Sequence, residues 1–382
     1  MIRKITGSIL WGILLFSLTA CGLQTVTPPP AENPTAEVIP SQTPLPLPSP
    51  TIGVTQISTA PIKATDYQNL TVTQRAAVSN IQQIVWSQDD LTLTILTQNA
   101  DASGNQVFGI TNLNANDLST ISVYTATGNR IAAAAPDGKT AAVIDKSLMA
   151  FSLVDTRSST ATPLSKIVDY SIGDISFSPD LRYVAVTKQD KWEVVLYDFN
   201  TLEEVRVLSG FETAAPVFDA RFDHSPQWIV WHARGTIQLQ EIETGRLTNV
   251  FSHEDFVSSY TLSPDGMILA SSAGKTIDGN MMPVITLWDT STGSEIQSLP
   301  IAPGYSPEGP GPASAMAFSP DGKLLAAAVG NDIQLWDPAN GMLLTSLTGH
   351  SDSVLHLAFS LDQHSLASSG LDNQLYLWQA PQ

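Results

Sequence analysis

Few residues in this chain could do chemistry, and they are scattered. The six histidines are His224, His232, His253, His350, His356 and His364, and none pairs with a carboxylate at metal-ligand spacing. The chain has no phosphate-cradling Gly-rich loop, no paired-cysteine metal site, no His-Glu-x-x-His and no Gly-x-Ser-x-Gly elbow. Ser272-Ala273-Gly274-Lys275 fits Ser-x-x-Lys, but two fixed residues in four recur by chance, and these follow a strand pattern rather than open a helix. His356 sits in the alternating run Val354–Phe359, where a solvent-facing or satisfied core role suits it better than catalysis. No catalytic residue, metal or cofactor is therefore assigned. A site assembled in space from separate segments stays open.

The elements that would position any site repeat. Seven copies of one phrase run along residues 86–362: an apolar or small residue, a small residue, then usually Pro-Asp and often Gly. They are Trp86-Ser87-Gln88-Asp89, Ala134-Ala135-Pro136-Asp137, Phe177-Ser178-Pro179-Asp180, Phe222-Asp223-His224-Ser225, Leu262-Ser263-Pro264-Asp265, Phe318-Ser319-Pro320-Asp321 and Phe359-Ser360-Leu361-Asp362. Their third positions lie 48, 43, 45, 40, 56 and 41 residues apart, the mark of one copied supersecondary unit. Each phrase reads as a turn, because Pro presets φ, Asp bonds its own backbone and Gly accepts positive φ. The sixth unit predicts strands over Ser314–Phe318, Leu324–Val329, Ile333–Trp336 and Met342–Leu347.

Three third strands end in an aromatic-Asp pair: Tyr197-Asp198, Trp288-Asp289 and Trp336-Asp337. The last unit adds Gly349-His350, Ser368, Asp372 and Trp378, with 22 residues from His350 to Asp372. On these residues the chain resembles the WD-repeat β-propeller family over roughly 67–378. The resemblance implies an all-β, seven-bladed propeller of four-stranded blades. It also implies a structural network in which Asp372 accepts from His350 and from backbone amides while Ser368 bridges to Trp378. A buried carboxylate needs such partners. The other units keep fragments only: Gly210-Phe211 replaces Gly-His and Gln240-Glu241 replaces Trp-Asp.

The seventh unit ends at Trp378 without a fourth strand. The upstream run Tyr67–Val72 is expected to supply it, closing the ring and hiding strand edges. An open six-bladed ring is the alternative.

Residues 1–20 read as an export signal, with Arg3 and Lys4 before the apolar core Ile9–Leu18, too short to span a bilayer. Leu18-Thr19-Ala20-Cys21 resembles the bacterial lipoprotein cleavage box. That resemblance implies a diacylglyceryl group on Cys21, the chain's only cysteine, and a palmitate-type membrane anchor. Residues 21–64 form a Pro/Thr-rich segment holding ten of the 25 prolines, read as a disordered stalk. Residues 65–382 are expected to form the propeller.

The formal charge of −18 argues against nucleic acid and against attraction to anionic lipid. Much of the acidity is turn chemistry. Residues 99–105, 273–283 and 300–313 read as long loops on one face, with Met281, Met282 and Tyr305 as candidate partner-binding residues. Packing of these three against the blades is the other reading. The functional expectation is a lipid-anchored, exported, non-catalytic interaction scaffold at the outer face of a membrane, with a protein partner. The alternative is a surface hydrolase or glycan-binding propeller using the central cavity.

Overall fold

The computed structural model describes residue 62 and residues 70–127, 129–145, 150–158, 163–168, 172–188, 193–209, 219–222, 225–233, 235–301 and 311–380. The export signal, Cys21, Tyr67–Asn69 and Tyr305 lie outside the described residues. Val54–Gln382 forms one compact unit. Among the described residues every regular element is a strand, and no helix is long and apolar enough to cross a membrane.

The outermost strand of the last sheet, β1, is Thr71–Ala77. Blade 1 is β2 (Ile81–Trp86), β3 (Thr92–Ala100), β4 (Gln106–Asn114) and β5 (Thr120–Thr127). Blade 2 is β6 (Arg130–Ala134), β7 (Thr140–Asp145), β8 (Ala150–Asp155) and β9 (Pro163–Val168). Blade 3 is β10 (Ile172–Phe177), β11 (Tyr183–Lys188), β12 (Glu193–Asp198) and β13 (Glu204–Leu208). Blade 4 is β14 (Asp219–Phe222), β15 (Trp228–Ala233), β16 (Thr236–Glu241) and β17 (Leu247–Ser252). Blade 5 is β18 (Ser259–Leu262), β19 (Ile268–Ile277), β20 (Asn280–Asp289) and β21 (Glu295–Pro300). Blade 6 is β22 (Ala315–Phe318), β23 (Leu325–Val329), β24 (Asp332–Asp337) and β25 (Met342–Leu347). Blade 7 has β26 (Val354–Phe359), β27 (Leu366–Gly370) and β28 (Gln374–Gln379) from the C-terminal end. Six sheets follow chain order, and the seventh runs β1-β28-β27-β26. Strands are lettered A to D from the channel outward.

The strand beside β28 shares only Thr71 and Val72 with the expected Tyr67–Val72. The paired segment is Thr71–Ala77, with Thr71 opposite Gln379 and Ala77 opposite Gln374. An outer strand has one face in solvent, so Thr73, Gln74 and Arg75 suit it, and apolar content misplaced the expectation by several residues. Thr73 Oγ1 bonds Leu377 O at 3.3 Å and Gln379 Oε1 at 2.8 Å beside a bulge between Val72 and Gln74.

One of the expected loops is largely strand. Residues 273–283 extend β19 and β20 into a hairpin of two ten-residue strands, turning at Asp278 (φ 51°) and Gly279 (φ 81°). Asp-Gly supplies the positive φ values that a two-residue hairpin turn requires. Of the expected loop 99–105, Asn99 and Ala100 end the nine-residue strand β3, and residues 101–105 connect it to the nine-residue strand β4.

The phrase itself is a turn built around serine. In blades 1, 3, 5, 6 and 7 the serine Oγ donates to the aspartate two residues on, at 2.5 to 2.7 Å. The same Oγ accepts the amide five residues on, at 2.8 to 3.0 Å. The position after Asp needs positive φ. Gly138, Gly266 and Gly322 meet it in blades 2, 5 and 6, while Asp90, Leu181 and Gln363 adopt it at 55°, 59° and 65° in blades 1, 3 and 7.

The core is a set of seams between neighbouring blades. One cluster joins blades 2 and 3 through Phe151, Phe177 and Tyr197. Others join 1 to 2, 3 to 4, 4 to 5, 5 to 6, 6 to 7 and 7 to 1. A ring therefore has no central core, and burial between sheets holds each blade to the next.

Candidate functional site

Three places merit a chemical reading: the channel, the histidine network of blade 7, and the face carrying the extended hairpins. The channel holds a cavity of about 590 Å³ lined by the A strands of all seven blades. Its polar groups are largely spent on holding the blades together. Ala134 N donates to Gln83 Oε1 at 3.2 Å between blades 1 and 2, and Arg130 Nη1 donates to Gly173 O at 3.1 Å between 2 and 3. Phe222 N donates to Ser176 Oγ at 3.1 Å between 3 and 4, and Arg221 Nη2 donates to Tyr260 O at 2.6 Å between 4 and 5. Ser258 and Ser259 both donate to Ala313 O, at 2.8 and 2.7 Å, between 5 and 6. Ser314 Oγ donates to Val354 O at 2.5 Å between 6 and 7, and His356 Nε2 donates to Ile81 O at 2.9 Å between 7 and 1. Burial lowers the His356 pKa, so the neutral imidazole serves as that donor at neutral pH.

Among the described lining residues Asp174 is the only carboxylate, and it lies 3.5 Å from Arg130 Nη2. Among the described residues no group of three His, Cys, Asp or Glu side chains is placed to hold a metal. The Ser-x-x-Lys match separates into two local uses. Ser272 Oγ accepts Ala313 N at 2.8 Å, and Lys275 Nζ lies 2.7 Å from each Glu295 oxygen.

In blade 7 the structure brings His350, Ser368, Asp372 and Trp378 together. His350 Nδ1 meets Asp372 Oδ2 at 2.9 Å, and His350 Nε2 meets Ser368 Oγ at 2.8 Å. Trp378 Nε1 donates to the same Oγ at 2.8 Å. Ser351 N and Gln374 N donate to the Asp372 carboxylate at 3.0 and 3.1 Å. The Asp372 side chain is 3% exposed, so these donors replace the water it loses. Tyr376 stacks on His350 at 4.3 Å.

Blade 5 contains a partial copy that motif reading missed. His253 Nε2 meets Ser271 Oγ at 2.7 Å, and Trp288 Nε1 donates to that Oγ at 2.8 Å. The His-to-Ser interval is 18 residues in both blades, which was the available signal. The Ser-to-Trp interval is 17 rather than 10, because the lengthened hairpin lies between them. Four residues after Ser271 stands Lys275 instead of an aspartate. His253 Nδ1 is buried without a partner, and burial lowers the pKa of the ring. In blade 6, Ala327 occupies the serine position, two strand steps from Trp336, and Trp336 Nε1 is buried without a partner.

The face formed by the B–C and D–A connections is different in kind. Phe256, Met281 and Ile277 are 54%, 42% and 39% exposed there. They share one neighbourhood. A Cβ on Gly274 would meet Met281 Sδ at 2.8 Å and Asp255 Oδ2 at 2.9 Å, so the connection after β17 lies against the hairpin. Phe256 packs edge-on against His232, a channel-lining residue, at 5.4 Å. Met282 is half-buried, opposite Lys275. Glu254, Asp255 and Asp278 surround the apolar residues. A hydrogen bond from Thr276 holds the Glu254 carboxyl below its usual range. Burial pushes the Glu295 carboxyl up, but bonds from Lys275 and Ser298 outweigh it and its pKa is lowered. Lys275, the cation of the hairpin, is thereby neutralised within the fold.

Comparison with known proteins agrees with this architecture at the C-terminal end. The family described as WD domain, G-beta repeat, matches residues 303–337 and 341–379. The second match starts one residue before the outer strand of blade 6 and ends with the third strand of blade 7, so the sequence repeat is offset by one strand from the blade. The small ribosomal subunit protein RACK1 of Caenorhabditis elegans is 33% identical over 142 residues, 35% of this chain and 39% of that protein. The intraflagellar transport protein 122 homolog of Danio rerio is 38% identical over 63 residues, 16% of this chain and 5% of that protein. The chain thus spans well under half the length of these relatives. With the seven sheets and the blade 7 network, these matches support reading the chain as a WD-repeat β-propeller of seven blades.

Proposed function

We propose that this chain is a non-catalytic interaction propeller, exported and tethered to a membrane by a lipid on Cys21, that binds a protein partner on its hairpin face. The observation that carries the binding reading is the division of labour between channel and face. Channel polar groups bridge the blades, while Phe256, Ile277 and Met281 stand exposed around the hairpin without such a duty. Their acidic surroundings and the chain's charge of −18 favour a partner segment that mixes apolar side chains with Lys or Arg. The anchor rests on Leu18-Thr19-Ala20-Cys21 alone. A hydrolase reading would need a second catalytic carboxylate near Asp174, as glycoside hydrolysis does. The described lining offers none.

The test uses full-length protein for capture from the producing cell, comparing wild type with a Phe256→Ser, Ile277→Ser, Met281→Ser variant. The variant is expected to keep its melting temperature and lose the captured protein, with wild-type capture weakening as salt rises. Unchanged capture by the variant would overturn the choice of face. The anchor has its own readout: the mature N-terminus should carry acyl mass on Cys21, and Cys21→Ala should abolish it. An unmodified Cys21 would refute the anchor and leave the binding result standing.

A further inference from the structure

Ile62 belongs by composition to the Pro/Thr-rich segment, yet it is 3% exposed. It sits in the core cluster of the blade 6–blade 7 seam, which includes Leu324 of blade 6 and Phe359 and Leu366 of blade 7. Leu70, the residue before β1, belongs to the same cluster. The Ile62 amide donates to Gln363 O at 2.7 Å. Gln363 is the positive-φ residue of the blade 7 turn, held by its own amide to Ser360 O at 3.0 Å. The equivalent carbonyl in blade 5, Gly266 O, is bonded by Thr290 Oγ1 at 2.6 Å, a group from its own blade. In blade 7 the N-terminal segment fills that place.

The register fixes the face on which this happens. Gln379 Nε2 bonds Ser365 Oγ at 2.7 Å, so the end of β28 lies at the A–B turn of blade 7. Thr71 is opposite Gln379, and β1 therefore starts at the A–B-turn end. It finishes at the B–C end, where Ala77 is opposite Gln374 and Val78 N bonds Asn373 O at 3.0 Å. Ile62 is at the starting end, on the face opposite the extended hairpin.

We propose that the apolar seat between blades 6 and 7 on the A–B-turn face is a docking site for the chain's own N-terminal segment, with Ile62 as its latch. The occupant is specified by both contacts. An Ile-sized side chain fills the seam, and its own backbone amide donates to Gln363 O. The latch holds the chain at residue 62 to the A–B-turn face. The inference stands on Ile62 and Gln363 and does not depend on lipidation.

Lys63 gives a direct probe, since no Lys or Arg occurs between Lys4 and Lys63. In full-length protein, brief trypsin treatment reports how often the segment around Lys63 is released. Ile62→Ser is expected to speed that cleavage on the order of tenfold, the scale set by exposing a buried aliphatic side chain. Ile62→Val is expected to stay near wild type. Hydrogen exchange supplies the second measurement: the Ile62 amide should be protected in wild type and exposed in Ile62→Ser, while the strands of blades 2 to 5 keep their protection. Equal cleavage rates in wild type and Ile62→Ser, or an unprotected Ile62 amide in wild type, would overturn the latch.

Discussion

At the residue scale, three blades vary one hydrogen-bond device. Blade 7 has the full set, with Ser368 taking both Trp378 Nε1 and His350 Nε2 and Asp372 closing the far side of the ring. Blade 5 keeps His253 and Ser271 but lacks the aspartate, and blade 6 keeps only Trp336. The comparison gives two opposed predictions. Asp372→Ala strips the buried His350 Nδ1 and two backbone amides of their acceptor, and should cost about 1–3 kcal/mol in chemical denaturation. Ala327→Ser offers Trp336 Nε1 the acceptor it lacks and should add about 0.5–1.5 kcal/mol. The added hydroxyl is small enough for the site to accept with little repacking, as Ser271 and Ser368 show at the same register. An Asp372→Ala protein with an unchanged midpoint would mean that the network contributes nothing to stability. A destabilised Ala327→Ser protein would mean that packing around Ala327 outweighs the new bond.

Among the elements, β1 carries the most consequence for its length. It bonds β28 across a sequence gap of about three hundred residues, as the Thr73 contacts with Leu377 and Gln379 show. Without it β28 would present an unpaired edge, and Ile62 and Leu70 would leave the blade 6–blade 7 seam. A chain beginning at Val78 should melt at lower temperature and self-associate, which light scattering during a thermal scan would report. Monomeric behaviour with wild-type melting would show that the ring does not depend on this strand. The β19–β20 hairpin makes the opposite point. Its last three residue pairs, Lys275–Met282, Thr276–Met281 and Ile277–Asn280, extend past the residues that pair with blade 5's outer strand. It is therefore the element on which substitution should alter binding with little change in stability, within about 0.5 kcal/mol.

For the whole molecule, the seven seams and their polar bridges make stability a property of the ring, and its response to pH follows. Burial lowers the pKa of both His253 and His356. A base with a depressed folded pKa leaves stability fully present above the ordinary imidazole value of about 6.5. Stability then falls as pH drops below that value, because the unfolded chain takes up the proton first. A second loss should come in acid. Hydrogen bonds from Ser87 and Ser263 hold the Asp89 and Asp265 carboxyls below their usual range. Their contribution is present above the ordinary carboxylate value of about 3.9 and is lost as pH falls through the folded values. Asp90 acts in the opposite sense. Burial raises its pKa despite the bonds from Leu361 and Asp362, so protonation relieves a cost there. Melting temperature against pH should therefore decline in two stages. His253→Gln and His356→Gln together should flatten the first and leave the second. A first stage that survives both substitutions would place its origin elsewhere.

The amino-acid sequence by itself determined the repeat, the turns and the blade 7 network, because their hydrogen bonds close within one unit. Ser360 reaches Asp362 two residues away, and His350 reaches Asp372 across 22. Such contacts leave a fixed spacing that recurs with the unit, so seven four-stranded blades could be counted before any contact between them was known. Only the tertiary structure decided the rest. The strand beside β28 is a half-solvated outer strand with no apolar signature of its own, so its position was misjudged by several residues. His356 read as either a solvent-facing or a satisfied core residue, and the neighbouring blade decided between them by supplying Ile81 O across 275 residues. Residues 273–283 looked like a loop because Lys275, Met281 and Met282 do not alternate in and out of a core, although Asp278-Gly279 marks the hairpin turn. Ile62, in a segment whose composition favours solvated chain, is buried because the seam between blades 6 and 7 closes around it. Contacts between distant segments carry no spacing rule, and the ring supplies what the spacing lacks.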